Sequence, residues 1–218
     1  MNLIVNEIFE SIQGEGFHTG QLAIFVRFSG CNMKCSFCDT KYAWNSDNYI
    51  YKCSPEELVE VIRLGEFKSD FIVLTGGEPL VQNFEALCEF VRRLKEAGYY
   101  VALETNGSFD FYREALEVDW LTVSPKNGML PNKKAGEELK LVYTGEETLE
   151  LYESLKFKHF YLQPCLPEKP LLAPAEDEPP SYVLGSSYGE AFDIVLKAIK
   201  KHRRWKVSFQ THKLVGWR

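Results

Sequence analysis

The sequence predicts an α/β fold whose parallel sheet curls into an incomplete, TIM-like βα barrel. Three observations point there. Short β-rich runs alternate with helical patterns along the chain, which is a repeated βα plan. Most of those runs are continuously apolar, as in a parallel sheet covered by helices. The chain has 218 residues, whereas a closed eight-fold barrel takes about 250, so six core strands leave it open.

The elements follow in order. LAIFVRF (22–28) is the first strand. SPEELVEVIRLG reads as a helix with Ser54 as N-cap and Pro55 at the first helical position. FIVLT (71–75) is a strand, and NFEALCEFVRRLKEAG is an amphipathic helix capped by Asn83 and stopped at Gly98. YYVALE (99–104), WLTVS (120–124), LKLVY (139–143), HFYLQ (159–163) and WKVSFQ (205–210) are strands. Shorter helical patterns lie near 110–117, 146–156 and 188–202. PCLPEKPLLAPAEDEPPSYVLGSS (164–187), rich in proline and acid, reads as a long loop or flap on a single domain spanning 1–218.

Composition narrows the class. With 45% hydrophobic residues and 14% aromatics the chain can bury a proper core. A net charge of -6 argues against an extended grip on nucleic acid, which needs basic excess. It leaves room for a small anionic substrate held by one or two arginines. No apolar run approaches the about 18 residues that would suggest a membrane span. MNLIVNEIFES lacks the basic region and long apolar stretch of a signal peptide. A cytoplasmic location is expected, where thiols stay reduced. The six cysteines then read as metal ligands or buried residues. Cys53, Cys88 and Cys165 are isolated, and Cys88 reads as packing within its amphipathic helix.

In parallel α/β sheets, chemistry sits at the carboxyl ends of the strands. Cys31 follows the first strand directly. Thr75-Gly76-Gly77-Glu78-Pro79, Glu104-Thr105-Asn106-Gly107, Ser124-Pro125-Lys126 and Gln163-Pro164 each end a strand, and Lys140 lies within one. Polar residues thus gather on one edge.

The run CNMKCSFCDT holds Cys31, Cys35 and Cys38. A structural zinc site wants four ligands, and His18, His159, His202 and His212 show no paired ligand spacing. A redox C-x-x-C of Cys35 and Cys38 would leave Cys31 surplus. The third reading is a cubic iron-sulfur cluster with three protein thiolates and one iron left open to a small molecule.

C-x3-C-x2-C, with the aromatic Phe37 before its last cysteine, resembles the signature of the radical S-adenosylmethionine (SAM) superfamily. TGGEP (75–79) resembles that superfamily's segment contacting the methionine amino group of the cofactor. The resemblance implies a partial barrel of the radical SAM type. It also implies a 4Fe-4S cluster on Cys31, Cys35 and Cys38, SAM as ligand of the open iron, and an external one-electron reductant. FESIQGEGFHTGQLAIFVRFSGCN, CDTKYAW, SPK, LQP and SFQTHK together are similar to the 7-carboxy-7-deazaguanine synthase family. That likeness implies conversion of 6-carboxy-5,6,7,8-tetrahydropterin to 7-carboxy-7-deazaguanine with loss of ammonia, assisted by Mg2+, in a homodimer. It places cofactor contacts on Phe37, Cys38, Asp39, Gly77, Ser124, Pro125, Lys126, Gln163, Pro164, Cys165 and Leu166. Substrate contacts fall on Ile12, Gln13, Gly14, Arg27 and Thr75, and the magnesium ligand on Thr40. Arg27 suits a carboxylate because its planar fork binds two oxygens at once. Members often end on a proline whose carboxylate helps hold the substrate; this chain ends Gly216-Trp217-Arg218. Two competing readings are a glycyl radical enzyme activase, which would need a protein-docking surface, and a colourless zinc-binding module.

Overall fold

The computed structural model describes residues 1–166 and 186–215. Most of the loop expected at 164–187 lies outside them, as do Gly216, Trp217 and Arg218. The strands are β1 (Leu3–Ile12), β2 (Leu22–Phe28), β3 (Tyr51–Cys53), β4 (Phe71–Gly76), β5 (Tyr100–Thr105), β6 (Trp120–Val123), β7 (Ala135–Tyr143), β8 (Lys156–Pro164) and β9 (Trp205–Val207). The α-helices are α1 (Pro55–Leu64), α2 (Phe84–Glu96), α3 (Arg113–Leu116), α4 (Leu149–Glu153), α5 (Ser186–Lys201) and α6 (Thr211–Val215). All nine strands form one sheet in the order β3-β1-β2-β4-β5-β6-β7-β8-β9. From β2 to β9 every neighbouring pair is parallel. β1 runs antiparallel to both β2 and β3. Among the described residues the two edge strands do not pair, so the barrel stays open.

Two apolar layers explain the continuous runs. Alternate residues of the parallel strands face outward to the helices: Ile24, Val26 and Phe28 on β2, Ile72 and Leu74 on β4, Val101 and Leu103 on β5, Leu139 and Leu141 on β7. The intervening positions face inward, where Ala23, Phe71, Val73, Ala102, Trp120 and Phe25 make a small second core low in the barrel. Each strand is therefore buried on both faces, and period-two alternation disappears.

The helices close the outer layer. α1 starts in a capping box: Glu57 N–H donates to Ser54 Oγ at 3.3 Å, and Ser54 N–H donates to Glu57 Oε2 at 2.8 Å. α2 is capped by Asn83 Oδ1, which accepts from Ala86 N–H at 2.9 Å. Its stripe of Leu87, Phe90, Val91 and Leu94 is fully buried, and each such side chain contributes about 1.5–3 kcal/mol on leaving water. Gly98 follows in the left-handed conformation (φ +91°) and turns the chain into β5.

Four elements depart from the sequence reading. β1 is absent from it because the register shifts between Val5 and Glu7, a bulge that breaks the alternation the eye looks for. β3 and α6 are too short to carry a period. The pattern at 205–210 yields only Trp205–Val207, since Ser208 and Gln210 then turn their polar side chains into the interior.

Candidate active site

One cavity of about 400 Å³ opens at the carboxyl ends of the parallel strands. Its lining includes Cys31, Cys35 and Cys38, Thr40, and all the residues predicted for substrate and cofactor except Pro125, which is buried. The sheet topology brings them together. The parallel strands from β2 to β8 deliver inward-facing residues at or near their ends to the same rim: Arg27 from β2, Thr75 from β4, Glu104 from β5, Ser124 after β6, Lys140 from β7 and Gln163 from β8.

The cysteine loop leaves β2 and is moored at both ends. Gly30 N–H donates to Ala43 O at 2.8 Å, and Glu78 N–H donates to Gly30 O at 2.8 Å. Gly77 fits because it has no side chain; a Cβ there would lie 2.1 Å from Gly30 O. Gly76 adopts φ +130° against the backbone of Phe28. Glu78 terminates β4 and braces β5: its buried carboxylate accepts from Thr105 Oγ1 and Asn106 N–H, both at 2.7 Å, and from Leu80 N–H at 3.1 Å. Burial pushes its pKa up, against those donors. Asn106 Nδ2 reaches Asn32 Oδ1 at 3.0 Å, tying the loop to β5.

The thiols suit a cluster. Cys38 Sγ accepts from Thr40 N–H at 3.4 Å and from Trp44 Nε1–H at 3.3 Å, and Cys31 Sγ accepts from Met33 N–H at 3.4 Å. N–H donors of this kind to cluster sulfurs tune iron-sulfur centres. Burial pushes the Cys31 and Cys35 thiols up, with neighbouring charges modifying the effect, so ligation must displace their protons. Among the described residues no three Cys, His, Asp or Glu side chains converge as a single metal ion would require. A cubane, whose protein-bound irons are separate atoms, asks instead for thiolates spread around a wall.

The family is decided by comparison. Residues 25–157 match the model of the radical SAM superfamily. The chain is 36% identical over 214 residues to the 7-carboxy-7-deazaguanine synthase of Bacteroides thetaiotaomicron, covering 98% of both chains. It is 34% identical over 234 residues to that of Bradyrhizobium diazoefficiens, covering 100% of both. The crystal structure of QueE from Escherichia coli superimposes with a TM-score of 0.69 at 25% identity, covering 96% of this chain and 94% of that one. The chain is a radical SAM enzyme of the 7-carboxy-7-deazaguanine synthase family. Its open sheet is the partial barrel of that superfamily, and membership implies a 4Fe-4S cluster and SAM.

For a radical SAM enzyme, the groups opposite the cysteines matter next. Arg27 donates through Nε to Glu7 Oε1 at 2.7 Å, and Tyr42 OH donates to the same oxygen at 2.9 Å. Its guanidinium carbon stands 5.7 Å from the Phe9 ring centroid, and Phe9 stacks on Phe25 at 5.1 Å. Among the described residues the guanidinium bonds through Nε alone. Thr75 Oγ1 donates to Glu104 Oε2 at 2.9 Å, and Gln13 Nε2 donates to Glu104 Oε1 at 3.2 Å. Lys126 Nζ donates to Ser124 Oγ at 2.8 Å, and burial lowers its pKa.

Several residues that the sequence reading gives no role complete the site. Glu15 pairs with Lys140 and accepts from Gln210 Nε2 at 2.7 Å and Gln163 Nε2 at 3.2 Å. Burial alone would raise the Glu15 pKa, but Lys140 beside it, helped by His212, holds it down at about 2. Lys213 Nζ meets Asp39 Oδ2 at 2.6 Å, and Asp39 sits well below the usual carboxylate range because that cation outweighs burial. The Asp39 side chain is 40% exposed, so solvent screens the pair. Gly14 packs under His212, whose Nδ1 a Cβ would approach to 2.2 Å, and Gly14 O accepts from Thr211 N–H at 3.0 Å. A hint was available: in ELKLV, Glu138 and Lys140 alternate with Leu139 and Leu141, the mark of a polar inner face.

Proposed function

We propose that this chain, acting as a single domain over 1–218, converts 6-carboxy-5,6,7,8-tetrahydropterin to 7-carboxy-7-deazaguanine with loss of ammonia. The observation that carries the reading is one cavity lined both by the three loop thiols and by Arg27, Thr75, Gln13 and Glu104. Cys31, Cys35 and Cys38 would hold the cluster. Phe37, Asp39, Gly77, the 124–126 segment and the 163–166 segment would hold SAM. Bound there, the cluster and SAM would supply the hydrogen-abstracting chemistry. The residues of this chain orient the pterin, meet its carboxylate and keep water away. Anaerobic incubation of reconstituted protein with SAM, a reductant and the carboxypterin should release ammonia and a deazapurine chromophore. Reconstituted protein that cleaves SAM but leaves the pterin untouched would refute the reading.

Arg27 would bind the substrate carboxylate through its terminal nitrogens while Glu7 fixes the base of the fork. Arg27→Ala is expected to raise the substrate KM roughly 10- to 150-fold, from about 1.5–3 kcal/mol for a charged hydrogen bond. SAM cleavage without substrate should persist. Arg27→Lys should restore only part, since an ammonium cannot present two parallel donors. A parental KM in the alanine variant would make Arg27 a structural partner of Glu7.

Thr40 is our proposed magnesium ligand. Its Oγ1 donates to Asp39 Oδ1 at 3.0 Å, which leaves the oxygen's lone pairs for a cation. Magnesium commonly takes few ligands from protein and the rest from substrate and water. Thr40→Val should keep iron content and SAM cleavage but lose the stimulation of product formation by magnesium. Stimulation equal to the parent's would place the metal elsewhere. A homodimer and a cytoplasmic location complete the proposal; sedimentation at twice the 25.1 kDa chain mass would support the former.

A further inference from the structure

Beneath the cavity the turn between β1 and β2 lies against the bottom of the barrel, and one buried carboxyl grips it. Glu138, on the inner face of β7, is 2% exposed. Its Oε2 accepts from Phe17 N–H at 2.9 Å. The neighbouring Gly16 is left-handed (φ +65°), and a Cβ there would stand 2.1 Å from Glu138 Oε1. Glycine and carboxylate share one volume, so a side chain at position 16 would displace the carboxylate. The other N–H of the apex, that of Gly16, donates to Ser208 Oγ at 2.9 Å. The Phe17 ring stacks on Trp120 with centroids 4.7 Å apart. The apex is thus held by β7, by the segment after β9, and by the floor of the barrel.

The residues just before the apex are those facing the substrate side. Gln13 bonds Glu104 at 3.2 Å, Glu15 N–H donates to Gln13 Oε1 at 3.1 Å, and the Glu15 carboxylate meets Lys140. Any shift of Gly16 and Phe17 would move all three residues from 13 to 15. Glu138 shares the interior with apolar side chains such as Val73, Ala102 and Trp120, and an apolar residue there would avoid the cost of burying a carboxyl. What the acid gains in exchange is the Phe17 N–H. We propose that Glu138 is a positioning residue for the segment 13–15, setting its height in the cavity through the Phe17 N–H. The inference rests on the function proposed above.

The groups facing Glu138 are Lys140 on its own strand, Glu104 from β5, Glu15 from the turn, and Tyr161 and its cross-strand neighbour His159 from β8. Burial pushes the Glu138 carboxyl up to about 7; Glu104 and Glu15 add to this, while Lys140 and the Phe17 N–H oppose it. The carboxyl therefore changes charge near neutrality, and the carboxylate is the better acceptor.

The test compares substrate KM at pH 6 and pH 8 in the parent, Glu138→Gln and Glu138→Ala. The glutamine variant should match the parent at pH 6, where both are neutral, and show a higher KM at pH 8. The alanine variant should raise KM about tenfold at pH 8, the equivalent of one charge-assisted hydrogen bond, with the loss falling on KM and not on kcat. A glutamine-to-parent ratio that is the same at both pH values, or a loss confined to kcat, overturns the proposal. If the alanine variant does not fold, the glutamine comparison decides alone. A parent that leaves the pterin untouched refutes the function instead. Hydrogen exchange at Phe17 N–H, measured without substrate, then still tests the clamp: protection unchanged in Glu138→Ala overturns it, and protection lost supports it.

Discussion

Replacing Cys31, Cys35 or Cys38 with alanine, one at a time, is expected to reduce cofactor cleavage to undetectable levels and strip the brown absorbance from reconstituted protein. The three residues share one loop and line one cavity, and the Cys31 and Cys38 sulfurs accept backbone and indole N–H groups. Removing one would leave only two protein thiolates to hold the cluster. Cys53 and Cys88 make the control. Cys53 pairs with Leu3 at the far edge of the sheet, and Cys88 packs from α2 onto the outer core. Serine at either position should leave iron content at the parent level. A large iron loss on changing Cys53 would sink the assignment of the three loop cysteines.

Most of the parallel strands are legible in the sequence because both their faces are buried, so they appear as largely apolar runs, with β7 and its ELKLV alternation the exception. β2 spans Leu22–Phe28, the bounds of LAIFVRF. β1 is illegible for the converse reason: its bulge brings Asn6 and Glu7 into buried positions within an otherwise apolar stretch. The site divides along the same line. Residues that end strands, such as Thr75, Ser124 and Gln163, are legible because parallel topology collects all strand ends at one rim. Gln210 and Lys213 are legible only as members of SFQTHK; their contacts with Glu15 and Asp39 are not, because only tertiary packing makes them, across 195 residues in the case of Gln210 and Glu15. Glu138 shows its inward direction in the alternation ELKLV, yet nothing local says that its partner is the Phe17 N–H, 121 residues away.

Replacing Lys140 with methionine should destabilise the fold by about 3–5 kcal/mol, because it removes the cation from a buried cluster and leaves its anions behind. Lys140 is 6% exposed and lies against Glu15, with Glu104 Oε1 at 3.6 Å. Burial would lower the lysine pKa, but Glu104 and Glu15 more than reverse that, so the ammonium stays charged at any ordinary pH. Methionine keeps the length and much of the volume, so the change is chiefly electrostatic. The sign of the pH dependence follows from Glu15. Its folded pKa of about 2 lies below the ordinary 4.5, so the stabilisation is fully present above about pH 4.5 and is lost as pH falls towards 2. Urea denaturation should therefore show parent and variant far apart at pH 7 and converging on acidification through that window. Adding Glu15→Gln to the methionine variant should recover part of the loss, since the amide needs no counter-charge and still accepts from Gln210 and Gln163. A double variant no more stable than Lys140→Met would mean that the lysine holds the interior by packing, not by charge.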